Sequence, residues 1–407
     1  MNYPNQINCY EKIIKGVGTP VFVYWQKRLE INLDRIFQAA KRHVPGRVIG
    51  VAIPYFVNSN PHLFSIIRQR GCSIVIQTVE EWHQLEAHSL TDYLIASPTV
   101  LPRQDLKFLM LKGVSINLAS IDDVEWQINY FPNYPIFVRF DISVDSSQRT
   151  GIKIEEIDKL KQVLNRHNKQ LKGIHIYVGT FSTLDKITRL TNTILDLVSK
   201  EFPNIGVVNL GGGFSYNYDK TFNQHFDWDA YFEMLARKIK LHNISPNTKF
   251  VIEPGRDVFA DVGELILSSH HVVWNSQRTI CQVFTDGSYV YMPSATIRTR
   301  QHQLMFLSSR FEELTDRSTI GRLSGCTTLS SDFVLPMFVE TPSNITSDCF
   351  VVVKDIGAYG ATQHMEFLNK KPCPEVLVAS NNSPYLITAR GREDDRIRYL
   401  VTNPTKI

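Results

Sequence analysis

The chain has 407 residues, 43% of them apolar and 21% charged, the balance of a globular protein rather than a disordered or fibrous one. That length exceeds one ordinary core and points to about two domains. Its 44 basic and 40 acidic residues leave a formal charge of only +4, spread along the chain, which excludes the concentrated basic surface of a nucleic-acid binder.

Residues 1–8 are polar and carry no apolar signal core. No stretch reaches the roughly 18 uninterrupted apolar residues of a membrane span. A soluble, cytoplasmic protein with no membrane partner is expected. Six cysteines (Cys9, Cys72, Cys281, Cys326, Cys349, Cys373) show no CxxC or zinc-like spacing, so reduced thiols and no metal site are expected.

In chain order, GTPVFVYW (18–25) reads as a short first strand. Eight β-rich runs follow: RVIGVAIPY (47–55), CSIVIQT (72–78), DYLIASP (92–98), VSINLAS (114–120), IFVRFDIS (136–143), GIHIYVG (173–179), VVNLGGG (207–213) and KFVIEPG (249–255). Most are continuous apolar runs rich in β-branched residues, as strands buried on both faces should be. Gaps such as 79–90 and 182–202 read as amphipathic helices. The second of these opens on Ser182 as N-cap with Asp185 three residues on.

Eight strands alternating with helices predict a (β/α)8 TIM barrel, with a doubly wound sheet as the rival. After residue 262 the texture changes. TICQVFTDGSYVYM (279–292), CFVVVKDIGAYG (349–360) and EVLVAS (375–380) predict a mostly antiparallel β-domain. The first strand can pair into it, which makes that domain discontinuous: 27–262 for the barrel, 1–26 plus 263–407 for the β-domain.

Barrel chemistry sits at the C-terminal ends of strands. Gly211-Gly212-Gly213 ends the seventh run and lets backbone amides approach an anion, or simply makes a tight turn. Glu253-Pro254-Gly255-Arg256 ends the eighth and sets a carboxylate beside a guanidinium, which can bind phosphate or form a local ion pair. Gly179-Thr180 ends the sixth. The three segments converge on the quadrant where barrels often bind phosphate.

These segments, in this order, resemble the ornithine/diaminopimelate/arginine decarboxylases, the alanine-racemase-like (fold type III) pyridoxal-phosphate enzymes. GTPVFVY (18–24) is similar to the family's opening strand. NSNP (58–61), VNLGGGF (208–214), FVIEPGR (250–256) and DIGAYGA (355–361) are similar to its signature segments. The resemblance spans about residues 16 to 380. It implies a barrel plus β-domain, a homodimer with shared active sites, and a cofactor cradle. Glu253 matches the acid that keeps the pyridine nitrogen protonated. Gly213, Gly255, Arg256 and Thr180 match phosphate-contacting positions. Tyr359 matches a β-domain tyrosine that also reaches the phosphate, and His175 matches the first His of an HxHxGS-like segment.

The reaction machinery departs from the family pattern. Its first barrel strand ends in a lysine, in a segment like YAVKANSNP, that forms a Schiff base with the cofactor. Here Ile53-Pro54-Tyr55-Phe56-Val57-Asn58-Ser59-Asn60-Pro61 puts Phe56 at that position, and no lysine lies between Lys41 and Lys107. Tyr177 replaces the second His and keeps an aromatic face. In the GPxCESGD-like segment Thr328 replaces the cysteine and Leu329 the acid. Cys326, two residues early, is expected to share a strand face with Thr328. The SKFG-like segment has become Gln148-Arg149-Thr150-Gly151. Arg139 on the fifth strand either binds a ligand carboxylate or pairs with an acid such as Asp141.

Positions for phosphate and ring are kept, and positions for aldehyde, substrate and proton are replaced. The expectation is a divergent decarboxylase homologue that holds pyridoxal 5'-phosphate or a related phosphate non-covalently, beside a phosphate-bearing or amino-acid-like small molecule, without ordinary decarboxylase activity. Two alternatives stand beside it: a regulatory or structural pseudoenzyme paired with a partner subunit, and a biosynthetic enzyme with changed chemistry.

Overall fold

A computed structural model describes residues 6–142, 150–218, 224–297 and 300–392. Two compact units divide the chain. The first runs from Glu30 to Val258, apart from a short excursion at Tyr218. The second holds the chain up to Leu29, Tyr218, and the chain from Phe259 onward.

Strand β1 (Val21–Trp25) belongs to the second unit. The first unit is built on β2 (Ile49–Pro54), β3 (Ser73–Ile76), β4 (Leu94–Ala96), β5 (Ser115–Leu118), β6 (Ile136–Asp141), the two-residue β7 (Ile152–Lys153), β8 (Leu171–Ile176), β9 (Val207–Asn209) and β10 (Lys249–Ile252). All pair in parallel. The order β2-β3-β4-β5-β6-β8-β9-β10 closes from β10 back to β2, with β7 appended to β6. This is the expected eight-stranded barrel, and closure excludes a doubly wound sheet. Its strands lie under helices outside and side chains inside, so Ile74, Val75 and Ile76 form a continuous buried run, and Val208, Phe250 and Ile252 are buried as well.

The helices start where side chains can cap them. Thr78 Oγ1 accepts the Glu81 amide and opens Val79–Glu86, which stops short of the expected residue 90. The next predicted helix is Leu184–Glu201, and its N-cap is Thr183 rather than Ser182. Ser182 is instead buried and bridges to Phe214, with its hydroxyl donating to the Val178 carbonyl at 2.8 Å.

The second unit adds β11 (Gly263–Trp274), β12 (Ile280–Thr285), β13 (Leu304–Leu307), β14 (Thr319–Ser324), β15 (Val339–Thr341), β16 (Phe350–Val353), β17 (Glu375–Val378) and β18 (Pro384–Thr388). Their order is β15-β14-β12-β11-β1-β17-β18, with β16 joining β11 to β13. Among the described residues its strand pairings are antiparallel except β1–β17 and β12–β14. β1 does pair into this sheet, and its five residues are all buried. The helix Gln6–Val17 sets Cys9, Tyr10 and Ile13 on the core formed by Val21, Val23, Ile266, Val352 and Val376. The buried Glu264 accepts hydrogen bonds from Tyr10 and from Trp25 Nε1. Among the described residues no helix is long and apolar enough to cross a membrane.

Candidate functional site

Three adjacent strands carry polar residues in one row. The register sets Arg139 of β6 beside His175 of β8, and His175 beside Asn209 of β9. Glu253 follows β10 directly and completes the row. Glu253 is 7% exposed and accepts a hydrogen bond from Asn209 Nδ2 at 2.7 Å. His175 Nε2 stands 3.5 Å from Glu253 Oε2, an ion-pair separation, and neither ring nitrogen has a hydrogen-bond partner among the described residues.

Burial alone would raise the Glu253 carboxyl. His175, then Asn209 and Arg139, outweigh it and hold the group below the usual carboxylate range. The carboxylate is therefore charged in the folded chain. Burial in turn lowers the half-buried Arg139 guanidinium, opposed chiefly by Glu253 and then by Tyr177 and Asp141. The acid that chiefly opposes burial of Arg139 is therefore Glu253 rather than Asp141. Its guanidinium lies 5.6 Å from the centre of the Tyr177 ring, and its Nε has no hydrogen-bond partner among the described residues.

The glycines stack the turns after β8, β9 and β10 on one another. Gly211 (φ 67°) and Gly213 (φ 108°) lie in left-handed territory. A Cβ on Gly211 would run into the Ile176 carbonyl, and one on Gly213 into the Gly179 carbonyl. At Gly212 a Cβ would come 2.7 Å from the Glu253 carbonyl oxygen, and at Gly255 2.5 Å from a Val57 methyl. The turns are cross-linked by Gly211 N–H to Asn209 Oδ1 (2.9 Å) and Glu253 N–H to the Gly211 carbonyl (2.8 Å). Among the described residues the amides of Gly212, Gly213 and Gly255 donate to no other group of the chain. Arg256 is 8% exposed, and its guanidinium lies 4.4 Å from the centre of the Phe181 ring. Tyr177 and Thr180 hydroxyls are 2.9 Å apart.

Thus Glu253, Gly213, Gly255, Arg256, Thr180, Tyr177, His175 and Arg139 all lie at the C-terminal ends of β6, β8, β9 and β10. Phe56 sits in a single 3₁₀ turn, Tyr55–Val57, directly after β2 and at the same end of the barrel. Tyr359 belongs to the second unit, at φ 60°, and its carbonyl accepts the Ser294 hydroxyl at 2.9 Å.

The expected strand face shared by Cys326 and Thr328 does not exist. β14 ends at Ser324, and the chain turns at once. The reason is the buried Asp332 carboxylate, which accepts the Ser288 hydroxyl and the Tyr289 and Thr327 amides and folds 325–332 on itself. Cys326 Sγ faces the Asp286 carbonyl at 3.4 Å, while Thr328 and Leu329 are exposed. Gln148 and Arg149 lie outside the described residues. Gly151 has φ 138°, and a Cβ there would come 2.6 Å from the Asp141 nitrogen.

Sequence reading passed over two residues. Asn209 lies inside the VNLGGG segment, and its signal was an amide on an otherwise apolar strand. Lys186 comes close to the Gly179 turn: a Cβ on Gly179 would lie 3.2 Å from its ammonium nitrogen. Nothing in its sequence context marks that.

Residues 31–260, more than half of the chain, match the family described as pyridoxal-dependent decarboxylase, pyridoxal binding domain. A diaminopimelate decarboxylase of Streptomyces coelicolor is 23% identical over 390 residues, covering 89% of this chain and 84% of the relative. One of Escherichia coli K12 is 22% identical, with 82% and 84% covered. Among solved structures, diaminopimelate decarboxylase from M. jannaschii in complex with L-lysine superposes with a TM-score of 0.84 at 18% identity, covering 96% of this chain and 94% of that one. Lysine/ornithine decarboxylase from Vibrio vulnificus in complex with cadaverine gives 0.78 at 17% identity, with 94% and 100% covered. At these identities the superpositions speak for the fold, and the family match speaks for descent: the chain belongs to the pyridoxal-dependent decarboxylases.

Proposed function

We propose that this chain binds pyridoxal phosphate, or a related phosphate, non-covalently at the mouth of its barrel and does not carry out ordinary amino-acid decarboxylation. The observation that carries this reading is the contrast between Glu253 and Phe56. Glu253 is held charged by His175, Asn209 and Arg139. Phe56 stands after β2 where covalent attachment would need an amine, and a phenyl ring has none.

Pyridoxal phosphate, when bound, supplies an electron sink for negative charge developing on a substrate. The residues present fit its ring and its phosphate. Glu253 accepts a hydrogen bond from a protonated ring nitrogen and keeps that proton in place. The amides of Gly212, Gly213 and Gly255, with the Arg256 guanidinium and the Thr180 hydroxyl, offer donors to the phosphate. Tyr177 supplies an aromatic face, and the resemblance assigns Tyr359 to the phosphate as well. Phe56 after β2 does not fit covalent attachment, and no covalent step is assigned to this chain.

Residues 27–262 are taken as the ligand-binding barrel and 1–26 with 263–407 as the β-domain, in a homodimer of the kind the resemblance implies. The relatives solved with L-lysine and cadaverine point to an amino acid or amine as the second ligand. Arg139 favours a further reading, an enzyme of changed chemistry acting on a carboxylate. Its Nε has no hydrogen-bond partner among the described residues, and its guanidinium lies 5.6 Å from the centre of the Tyr177 ring.

The test is an absorbance spectrum of the purified protein with added pyridoxal phosphate, before and after borohydride, followed by intact mass. A bound band that borohydride leaves without a mass gain is expected. A covalent adduct would restore ordinary attachment chemistry. Failure to take up the compound at all would refute the cradle.

A further inference from the structure

Lys186 is the third residue of the helix Leu184–Glu201, inside its first turn, where Thr183 Oγ1 accepts its amide. A positive charge there opposes the helix dipole, whose N-terminal end is itself positive. An acidic partner would normally offset such a placement. Among the described residues the Lys186 ammonium makes no ion pair and no hydrogen bond. It is half-buried and lies over the Gly179 turn, 3.2 Å from where a Cβ on Gly179 would sit, with the Ser182 hydroxyl oxygen 3.7 Å from the same point. Gly179 in turn abuts Gly213, whose amide donates to nothing in the chain among the described residues. A cation with no ion pair among the described residues, next in sequence to Asp185 of the same first turn, therefore lies over the Gly179 turn that leads into Thr180, at the end of the barrel that also carries Arg256.

We propose that Lys186 supplies a second cation, beside Arg256, for the phosphate of the bound ligand, and so makes up in charge for the anchorage that Phe56 does not provide. This rests on the cradle reading above. It differs from that reading in assigning the phosphate a side chain from the helix that follows β8 rather than from the strand ends alone. Lys186 is a binding residue here, and it takes no part in bond breaking.

The experiment titrates the full-length protein with pyridoxal phosphate and with pyridoxal, which lacks the phosphate, in wild type, Lys186→Met and Lys186→Arg. Lys186→Met should weaken pyridoxal phosphate about tenfold, in the range of a charge-assisted hydrogen bond, and leave pyridoxal unchanged. Lys186→Arg should restore most of the loss. Without ligand, Lys186→Met should melt no lower than wild type, because it removes a charge that opposes the helix dipole. Its ligand-induced rise in Tm should be the smaller of the two. If wild type binds and Lys186→Met binds equally well, the assignment of Lys186 fails and the cradle stands. If borohydride fixes the compound on Lys186, the ammonium meets the aldehyde rather than the phosphate, and the assignment fails in a different way. If wild type binds neither pyridoxal phosphate nor inorganic phosphate, cradle and assignment fall together.

Discussion

Replacing Glu253 by Gln keeps the shape of a buried side chain and removes its charge. The Gln oxygen still accepts from Asn209, so that hydrogen bond changes from charged to neutral. Hydrogen bonds to charged groups contribute about 1.5–3 kcal/mol and neutral ones about 1 kcal/mol, so the change removes about 1 kcal/mol. The half-buried Arg139 loses its chief opposing charge, which removes about 1 kcal/mol more after allowance for solvent screening. Glu253→Gln should therefore destabilise the ligand-free protein by about 2 kcal/mol at neutral pH, read as a fall in the urea midpoint. The pH dependence sharpens the test. The folded carboxyl titrates below its ordinary value of 4.5. A depressed carboxyl contributes stability that is full above the unfolded value and fades as pH falls through the folded one. The gap between wild type and Glu253→Gln should stay constant from about pH 7 to about pH 5 and narrow below about pH 4.5. A variant as stable as wild type at neutral pH, or a gap that persists unchanged into acid, would refute the account of Glu253 as a net-favourable buried charge.

Phe56→Lys places an amine after β2 beside the proposed cradle, and borohydride should then fix pyridoxal phosphate covalently, read as a mass gain that wild type lacks. No adduct on a folded, ligand-binding Phe56→Lys protein would mean that the end of β2 does not face the ligand. Gly213→Ala forces a side chain to φ 108° and against the Gly179 carbonyl. Backbone strain of about 1–2 kcal/mol and overpacking of about 1–3 kcal/mol sum to about 3 kcal/mol of lost stability, measured by urea unfolding, together with weaker uptake of pyridoxal phosphate. A loss under about 1 kcal/mol would show that the turns are less tightly stacked than described.

The barrel was legible because parallel strands buried on both faces leave unbroken apolar runs, and each of the eight runs overlaps a strand. The second unit was less so. β11 turns from a buried to a partly exposed pattern after Ser269, and its two His residues interrupt the apolar signal, so it was not singled out. The Ser182 cap was misread because two adjacent residues can both cap. Burial against Phe214 decides for Thr183, and that contact lies thirty residues away in sequence. The strand face expected of Cys326 and Thr328 failed for a similar reason, because the turn there is drawn by Asp332 to partners more than forty residues distant. The segments 179–180, 211–213 and 253–256 do follow barrel strands, because strand ends fix their place in the chain. Lys186, brought in from a helix, had no such marker.

The stacked glycines also govern how this scaffold can change over time. Their lack of side chains answers to neighbouring carbonyls and to the Val57 methyl, so a variant there loses folding before it loses binding. Phe56, directly after β2, is partly open to solvent and stands at no such glycine contact. Mutational tolerance is therefore divided between the two ends of the proposed ligand. The end proposed to receive an anion is inherited with the backbone path, and the end after β2 is set by a side chain that can be exchanged without moving that path.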